Sequence, residues 1–399
     1  MSGPPVPPLP VDSTPELVAI IRAAIAATGG AIPFARFMDL ALNEPTWGYY
    51  RVPNERAGRG GDFVTAPELS PLFGHCLFRQ LREVWAALGA PGAFTILEYG
   101  AGGGRLAYDI LAAARAADPA FAAALRYRLH EGNAGRRASA RALLTGTGFA
   151  DRIAFEGPDA PPEDVTPFVG AIVSNEFADA LPTHRVRGAA DGATAGAIEE
   201  AFVGWDEGEG GFVERWAAPS TPRLAAALAA GGVAPAPGQA GEIGLAAADW
   251  LAGAAARLAC GLVLTLDYGY PTAELYAPKR RAGTFLCYYR HTATDDPYVR
   301  VGQQDMTAHV DFGALERAGA VAGLRTLGFT TQGPFLSNLG LGELLVATQR
   351  PGRALDDYLA ERGAVLALID PGGMGRFGVL AQGRDFDPPA PLRGLGPLR

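Results

Sequence analysis

Two hydrophobic rhythms divide the chain. Up to about residue 90, apolar positions recur at helical spacing. "TPELVAIIRAAIAATGG" opens on Thr-Pro-Glu, keeps its apolar residues on one face and stops at Gly-Gly, which predicts an amphipathic helix. "IPFARFMDLALNEPTWGYY" predicts a second helix ending before Pro45. After the Gly/Pro-punctuated loop "RVPNERAGRGGDFVTAPELSPLFG", "PLFGHCLFRQLREVWAALG" predicts a third. From Phe94 short apolar runs take over: "FTILEYG", "LRYRLHEG", "RIAFEG", "GAIVSNEF" and "GLVLTLDYG", with helical or loop segments between them. Strands alternating with helices predict an α/β fold with a largely parallel sheet. Between the last two runs, "AIEEAFVGWDEGEGGFVERWA" reads as a β-hairpin about "DEGEGG", followed by a helix at "TPRLAAALAA". The implied division is a disordered Pro-rich tail over 1–13, a helical region over 14–92 and a sheet domain over 93–399, with insertions at about 185–250 and 280–312. After the second insertion, "LERAGAVAGLRTLGF" predicts a helix and then a turn.

Composition narrows the class. The 399 residues are 48% hydrophobic and 19% charged, in the range of soluble globular chains. A net charge of −8 argues against a nucleic-acid or anionic-lipid partner. Cys76, Cys260 and Cys287 are odd in number and contain no C-x-x-C pair, which points to a reducing, cytoplasmic setting. The N-terminus has neither the basic region nor the apolar core of a targeting peptide. The longest apolar stretch, broken by Asp249 and Arg257, does not read as a membrane span. The histidines are dispersed, so no metal constellation is expected.

"ILEYGAGGGRLAYDIL" reads as strand, Gly-rich turn and helix. Gly100, Gly102 and Gly104 let the backbone bend sharply and approach a ligand closely. The helix start behind them offers free N–H groups to a polar ligand. The spacing G-x-G-x-G and the acid Glu98, two residues before the first glycine, disfavour pyrophosphate and suit the cationic methionyl end of S-adenosylmethionine. Glu131, closing "RYRLHEG", can grip both ribose hydroxyls. Gly-rich turns also occur without ligands, and strand-end acids are often merely solvated. Turn and acid together predict nucleoside binding.

Several runs, in order, resemble the MidA-type S-adenosylmethionine-dependent methyltransferases, which include the mitochondrial protein-arginine methyltransferase needed for assembly of respiratory complex I. They are "NEPTWGYY", "GDFVTAPELSPLFG", "ILEYGAGGGR", "SNEFADALPTHRV", "GTFLCYYRH", "GQQDMTAHVDFGAL", "LGFTTQGPFL" and "DPGGMGRFGVL", spanning about residues 30 to 382. The resemblance implies a class I methyltransferase: a Rossmann-like seven-stranded sheet, a helical N-terminal part and inserted elements over the site. It assigns cofactor contacts to Gly100, Ala101, Gly102, Gly104 and Glu131, and places Asp62 and Thr65 of the "GDFVTAPE" loop beside the cofactor. The family's Leu-Gly-Pro-Gly-x-Gly-Thr is here Tyr99-Gly100-Ala101-Gly102-Gly103-Gly104-Arg105, which keeps every glycine and changes the flanks.

"GAIVSNEF" is then the fourth strand, bringing Asn175 and Glu176 out at the end where open α/β sheets bind ligands, Asn175 beside the cofactor. Glu176 and Asp179, three apart, can share a face and clamp a guanidinium bidentately; capping of the following turn is the rival role for Asp179. In "DMTAHVDF", His309 is a candidate proton acceptor near neutral pH, or a structural histidine bonded to Asp311. Asp267 ends the fifth strand, in reach of the same cleft. The expected activity is methyl transfer to arginine in a partner protein. A small-molecule O- or N-methyltransferase and a non-catalytic cofactor-binding assembly factor stay open as alternatives, as does a homodimer.

Overall fold

The computed structural model describes residues 12–52, 64–158, 165–189, 197–349 and 354–397. Its centre is a seven-stranded sheet built from β1 (Phe94–Tyr99), β2 (Leu125–His130), β3 (Ile153–Glu156), β4 (Phe168–Asn175), β5 (Leu258–Asp267), β6 (Arg325–Thr331) and β7 (Gly378–Arg384). Their order across the sheet is β6-β7-β5-β4-β1-β2-β3. β1 to β5 are parallel, and β7 runs antiparallel between β5 and β6. This is the class I methyltransferase arrangement.

The five apolar runs of the sequence are the five parallel strands. The inner strands β1, β4 and β5 are mostly buried and read as continuous hydrophobic stretches. β2 alternates buried Leu125, Tyr127 and Leu129 with less buried neighbours, and β3 lies at the sheet edge. Arg325–Thr331, where a turn was expected, is instead the edge strand β6. It pairs on one side only, and none of its residues is fully buried, so no apolar run marks it.

The helical N-terminal region divides between two cores. Helices Pro15–Ala27 and Phe34–Asn43 place Leu17, Ile21, Phe34, Phe37 and Met38 in a core shared with Ala201, Val203, Cys287 and Met306. That core lies on a second, five-stranded sheet, in which Ala31–Pro33 pairs with Ile198–Asp206. The expected hairpin is Ile198–Asp206 with Gly211–Ala217. The helix Pro71–Ala87 packs instead against Arg105–Ala117 in the core of the main sheet.

The first insertion supplies second-sheet strands from His184 to Ile243, and the helix Leu245–Ala256 returns to the main sheet. The second forms the three-stranded sheet Leu286–Tyr289, Thr292–Thr294 and Asp305–Thr307. The Pro-rich tail lies outside the described residues as far as Val11. At its end Ser13 is held, its hydroxyl accepting the Val301 N–H at 2.9 Å. Among the described residues no helix is long and apolar enough to cross a membrane.

Candidate active site

β1, β4 and β5 end level with one another: Tyr99 sits opposite Ser174, and Asn175 opposite Leu266. Beyond these ends opens a cavity of about 800 Å³. Its walls include Thr65, Glu98, Gly100, Ala101, Gly102, Glu131, Asn175 and Glu176, eight of the residues anticipated for the site. Asp62 lies outside the described residues.

The glycine turn is built by necessity. Gly100, Gly102 and Gly104 have φ of +69°, +53° and +80°, which L side chains rarely adopt. A Cβ on Gly100 would stand 2.8 Å from Phe177 Cδ2, and one on Gly104 2.9 Å from Ala140 Cβ. Gly104 therefore shapes the helix start by packing and is not in the cavity wall. The Glu131 carboxylate pins this turn to the end of β2, one oxygen accepting Gly102 N–H and the other Asn133 N–H, each at 2.8 Å. Glu98 faces a different task. It is 4% exposed and accepts the Tyr127 hydroxyl at 2.7 Å. Burial, aided by Glu131, raises it from 4.5 to about 8.

The strand-to-turn switch after β4 positions Glu176. Its N–H still joins the ladder, donating to Leu266 O at 2.9 Å, and then the chain turns through a left-handed φ of +48°. Asp267 holds that turn. Its Oδ2 accepts the N–H groups of Phe177, Ala178 and Asp179 at 3.1, 2.9 and 3.3 Å, and Oδ1 that of Tyr268 at 2.9 Å. The Glu176 carboxylate accepts the Ala66 N–H at 3.0 Å and the Asn175 side-chain amide at 3.1 Å. Burial raises Glu176 from 4.5 to about 7 against those two donations, with help from Glu68.

Asp179 is 5% exposed and does not line this cavity; its Oδ2 accepts the Tyr268 hydroxyl. Burial and the neighbouring Asp267 push it well above the usual range. Because four backbone N–H groups favour the ionised Asp267, the proton of this pair rests on Asp179. His309 and Asp311 are not brought to the cofactor cavity and line a separate cavity of about 330 Å³ that also includes Asp179. Burial, then Arg280 and Arg376, lower His309 to about 4, so it is a weak base. Asp311 caps the helix Phe312–Val321, accepting Ala314 N–H at 2.9 Å and the Thr272 hydroxyl at 2.6 Å.

Residues 76–330 match the S-adenosyl-L-methionine-dependent methyltransferase family. The chain belongs to that family. A crystal structure of a Burkholderia thailandensis protein bound to S-adenosyl-homocysteine superimposes with a TM-score of 0.85 at 37% identity, covering 97% of each chain. The Drosophila melanogaster mitochondrial protein arginine methyltransferase NDUFAF7 homolog is 28% identical over 383 residues, 90% of this chain and 83% of that protein. The Danio rerio NDUFAF7 is 43% identical over a shorter span of 91 residues, 23% of this chain and 21% of its own.

The cavity of this methyltransferase fits S-adenosylmethionine. When bound, that cofactor supplies an electrophilic methyl group on a sulfonium. Glu131 has spent one acceptor site per oxygen on backbone N–H groups, and a carboxylate offers about four, so a pair of ribose hydroxyls can still be held. Gly100 and Gly102, both at positive φ, carry no side chain into the cavity at this turn. Arg105 lines the cavity and pairs with Asp109 at 3.0 Å.

The residue pattern missed two contributors and the role of a third. Tyr50 lines the cofactor cavity and donates to Asp305 Oδ1 at 2.6 Å, while Tyr268 serves Asp179. These partners lie far apart in the sequence and only the fold joins them. Asp267, seen only as a strand-end acid, proves to hold the Glu176 turn. A signal did exist for the loop wall: "TAPE" is a capping box, Thr65 and Glu68 starting the short helix Ala66–Leu69 that presents the Ala66 N–H to Glu176.

Proposed function

We propose that this methyltransferase methylates an arginine of a partner protein. One observation carries the reading: Glu176, a carboxylate in the cofactor cavity wall, forms no ion pair with any described residue. The names of its relatives in Drosophila melanogaster and Danio rerio, protein arginine methyltransferases, support it.

A guanidinium stays protonated in water, with a pKa above about 12, so it needs a carboxylate partner inside the protein. Ionised Glu176 binds it and fixes one nitrogen toward the methyl donor; productive transfer requires an approach of about 3 to 3.5 Å. As that nitrogen gains a methyl group it sheds a proton. Glu176 sits near neutrality and takes it. His309, lowered to about 4 and outside the cavity, is a poor acceptor by comparison. Asp267 keeps the left-handed turn in place throughout.

The test is to supply tritiated-methyl S-adenosylmethionine with the purified protein and a desalted lysate of its own organism, to which the small-molecule fraction is restored. Acid-precipitable label that hydrolyses to methylarginine supports the proposal, and a respiratory complex I subunit is the partner the family resemblance implies. Label confined to small molecules, or no label despite bound cofactor, contradicts it.

A further inference from the structure

A second feature of the region behind Glu176 has no role yet. Asp179 interacts electrostatically with three other carboxylates: Asp267, Asp305 and Glu176. Asp179, Asp267 and Asp305 are 5%, 0% and 3% exposed. Two phenols are tied into the group as hydrogen-bond donors, Tyr268 to Asp179 and Tyr50 to Asp305. Burial in the presence of Asp179 and Asp305 raises both phenols well above their usual range, so they stay protonated and donate.

Burying the Asp179 and Asp267 carboxyls together is costly without a compensating cation. Among the described residues neither Glu176, Asp179 nor Asp267 forms an ion pair with an arginine or lysine. Asp179 Oδ1 is buried and has no hydrogen-bond partner. Asn175 Oδ1, beside Glu176, is likewise buried and unpartnered. These are unspent acceptors in a chain that otherwise satisfies the turn carefully. A metal ion is a poor candidate, since no described group of three or more His, Cys, Asp or Glu side chains is placed to hold one. A wide, planar organic cation suits them better: a guanidinium spreads five donors around its edge and stacks on phenol faces.

We propose that the two phenol–carboxylate pairs, Tyr268–Asp179 and Tyr50–Asp305, form the recognition pocket for the acceptor's guanidinium, next to Glu176. The inference rests on the arginine reading above and gives that acceptor its site. Tyr50 belongs both to the cofactor cavity wall and to this cluster, so it links the two. Asp179 and Asp305 select charge and edge geometry, while Glu176 serves the reacting nitrogen. Arriving cation displaces the proton that Asp179 carries in its absence, so binding releases protons to solution. A lysine ammonium, a compact point charge with three donors, cannot engage all the spread acceptors and binds less well.

The probe is N-acetyl-arginine amide, titrated by calorimetry into the full-length protein saturated with S-adenosylhomocysteine, in two buffers of different ionisation enthalpy. N-acetyl-citrulline amide serves as the neutral isostere. The expected result is arginine binding roughly tenfold or more tighter than citrulline, with protons released. Asp305→Asn should weaken arginine binding by about tenfold or more and leave S-adenosylhomocysteine affinity unchanged. Tyr268→Phe, which removes one hydroxyl and keeps the ring, guards against misfolding and should weaken arginine binding in the same direction. Unchanged arginine binding in both variants, or equal binding of arginine and citrulline, overturns the pocket. If methylarginine still forms in partner proteins, the pocket alone has failed; if label goes only to small molecules, the arginine reading has failed.

Discussion

The Ala66 backbone N–H reaches across 110 residues of sequence to donate to Glu176 Oε1 at 3.0 Å. The bond joins the N-terminal capping box to the acid at the end of β4. It makes the loop wall part of the site's electrostatics, because Glu68 of the same box raises the Glu176 carboxyl.

The rate of transfer should therefore rise with pH through about 7, as Glu176 loses its proton and becomes able to bind and accept. Glu68→Gln removes a neighbouring negative charge while keeping an oxygen for Thr65 N–H, so the rising limb should move to lower pH. A pH–kcat/KM profile of both proteins checks this; coincident profiles would mean Glu68 does not act on Glu176.

Glu131 holds the glycine turn in addition to its expected ribose grip. Glu131→Ala should weaken S-adenosylhomocysteine by roughly tenfold or more, since a hydrogen bond to a charged group contributes about 1.5–3 kcal/mol. It should also lower Tm without any ligand, because Gly102 and Asn133 lose their acceptor. A calorimetric titration and a ligand-free melt separate the two effects.

Much of this fold is legible in the residue pattern, and the exceptions are physical. Doubly buried strands such as "GAIV" and "GLVLTL" announce themselves by continuous hydrophobicity. β6 does not, because an edge strand with half-exposed residues needs no apolar run. At the site, local motifs were readable: Gly100 and Gly102 of the G-x-G-x-G turn, Glu131 and Glu176 all line one cavity. Residues whose roles depend on distant partners were not. Nothing local in "DMTAH" marks Asp305 as the acceptor for Tyr50, 255 positions away. Likewise Asp311 looked like a site acid, yet the fold commits it to a helix cap.

Glu98 makes stability depend on pH in a definite direction. Its folded value of about 8 lies above the usual 4.5, so the folded state holds the proton longer than the unfolded chain. That contribution is complete below the unfolded value and is lost as pH climbs from about 4.5 to about 8, at about 1.4 kcal/mol per unit at most. Glu98→Gln cannot ionise and keeps an acceptor for Tyr127. Relative to the wild type, its Tm should improve steadily across that window; parallel melting curves at every pH would show that Glu98 titrates normally.

Gly100→Ala should abolish cofactor binding and destabilise the fold, because the new methyl must adopt φ +69° and meets Phe177 at 2.8 Å. Thermal melts with and without S-adenosylhomocysteine read both losses. A variant that binds normally would mean the turn can move aside.

The most direct test of the central claim compares wild type with Glu176→Gln in methyl transfer to the partner arginine, alongside S-adenosylmethionine binding by calorimetry. The account predicts transfer reduced by about 10²-fold or more, the scale of a lost acid–base group, with cofactor affinity nearly unchanged. Full transfer activity in Glu176→Gln would contradict it.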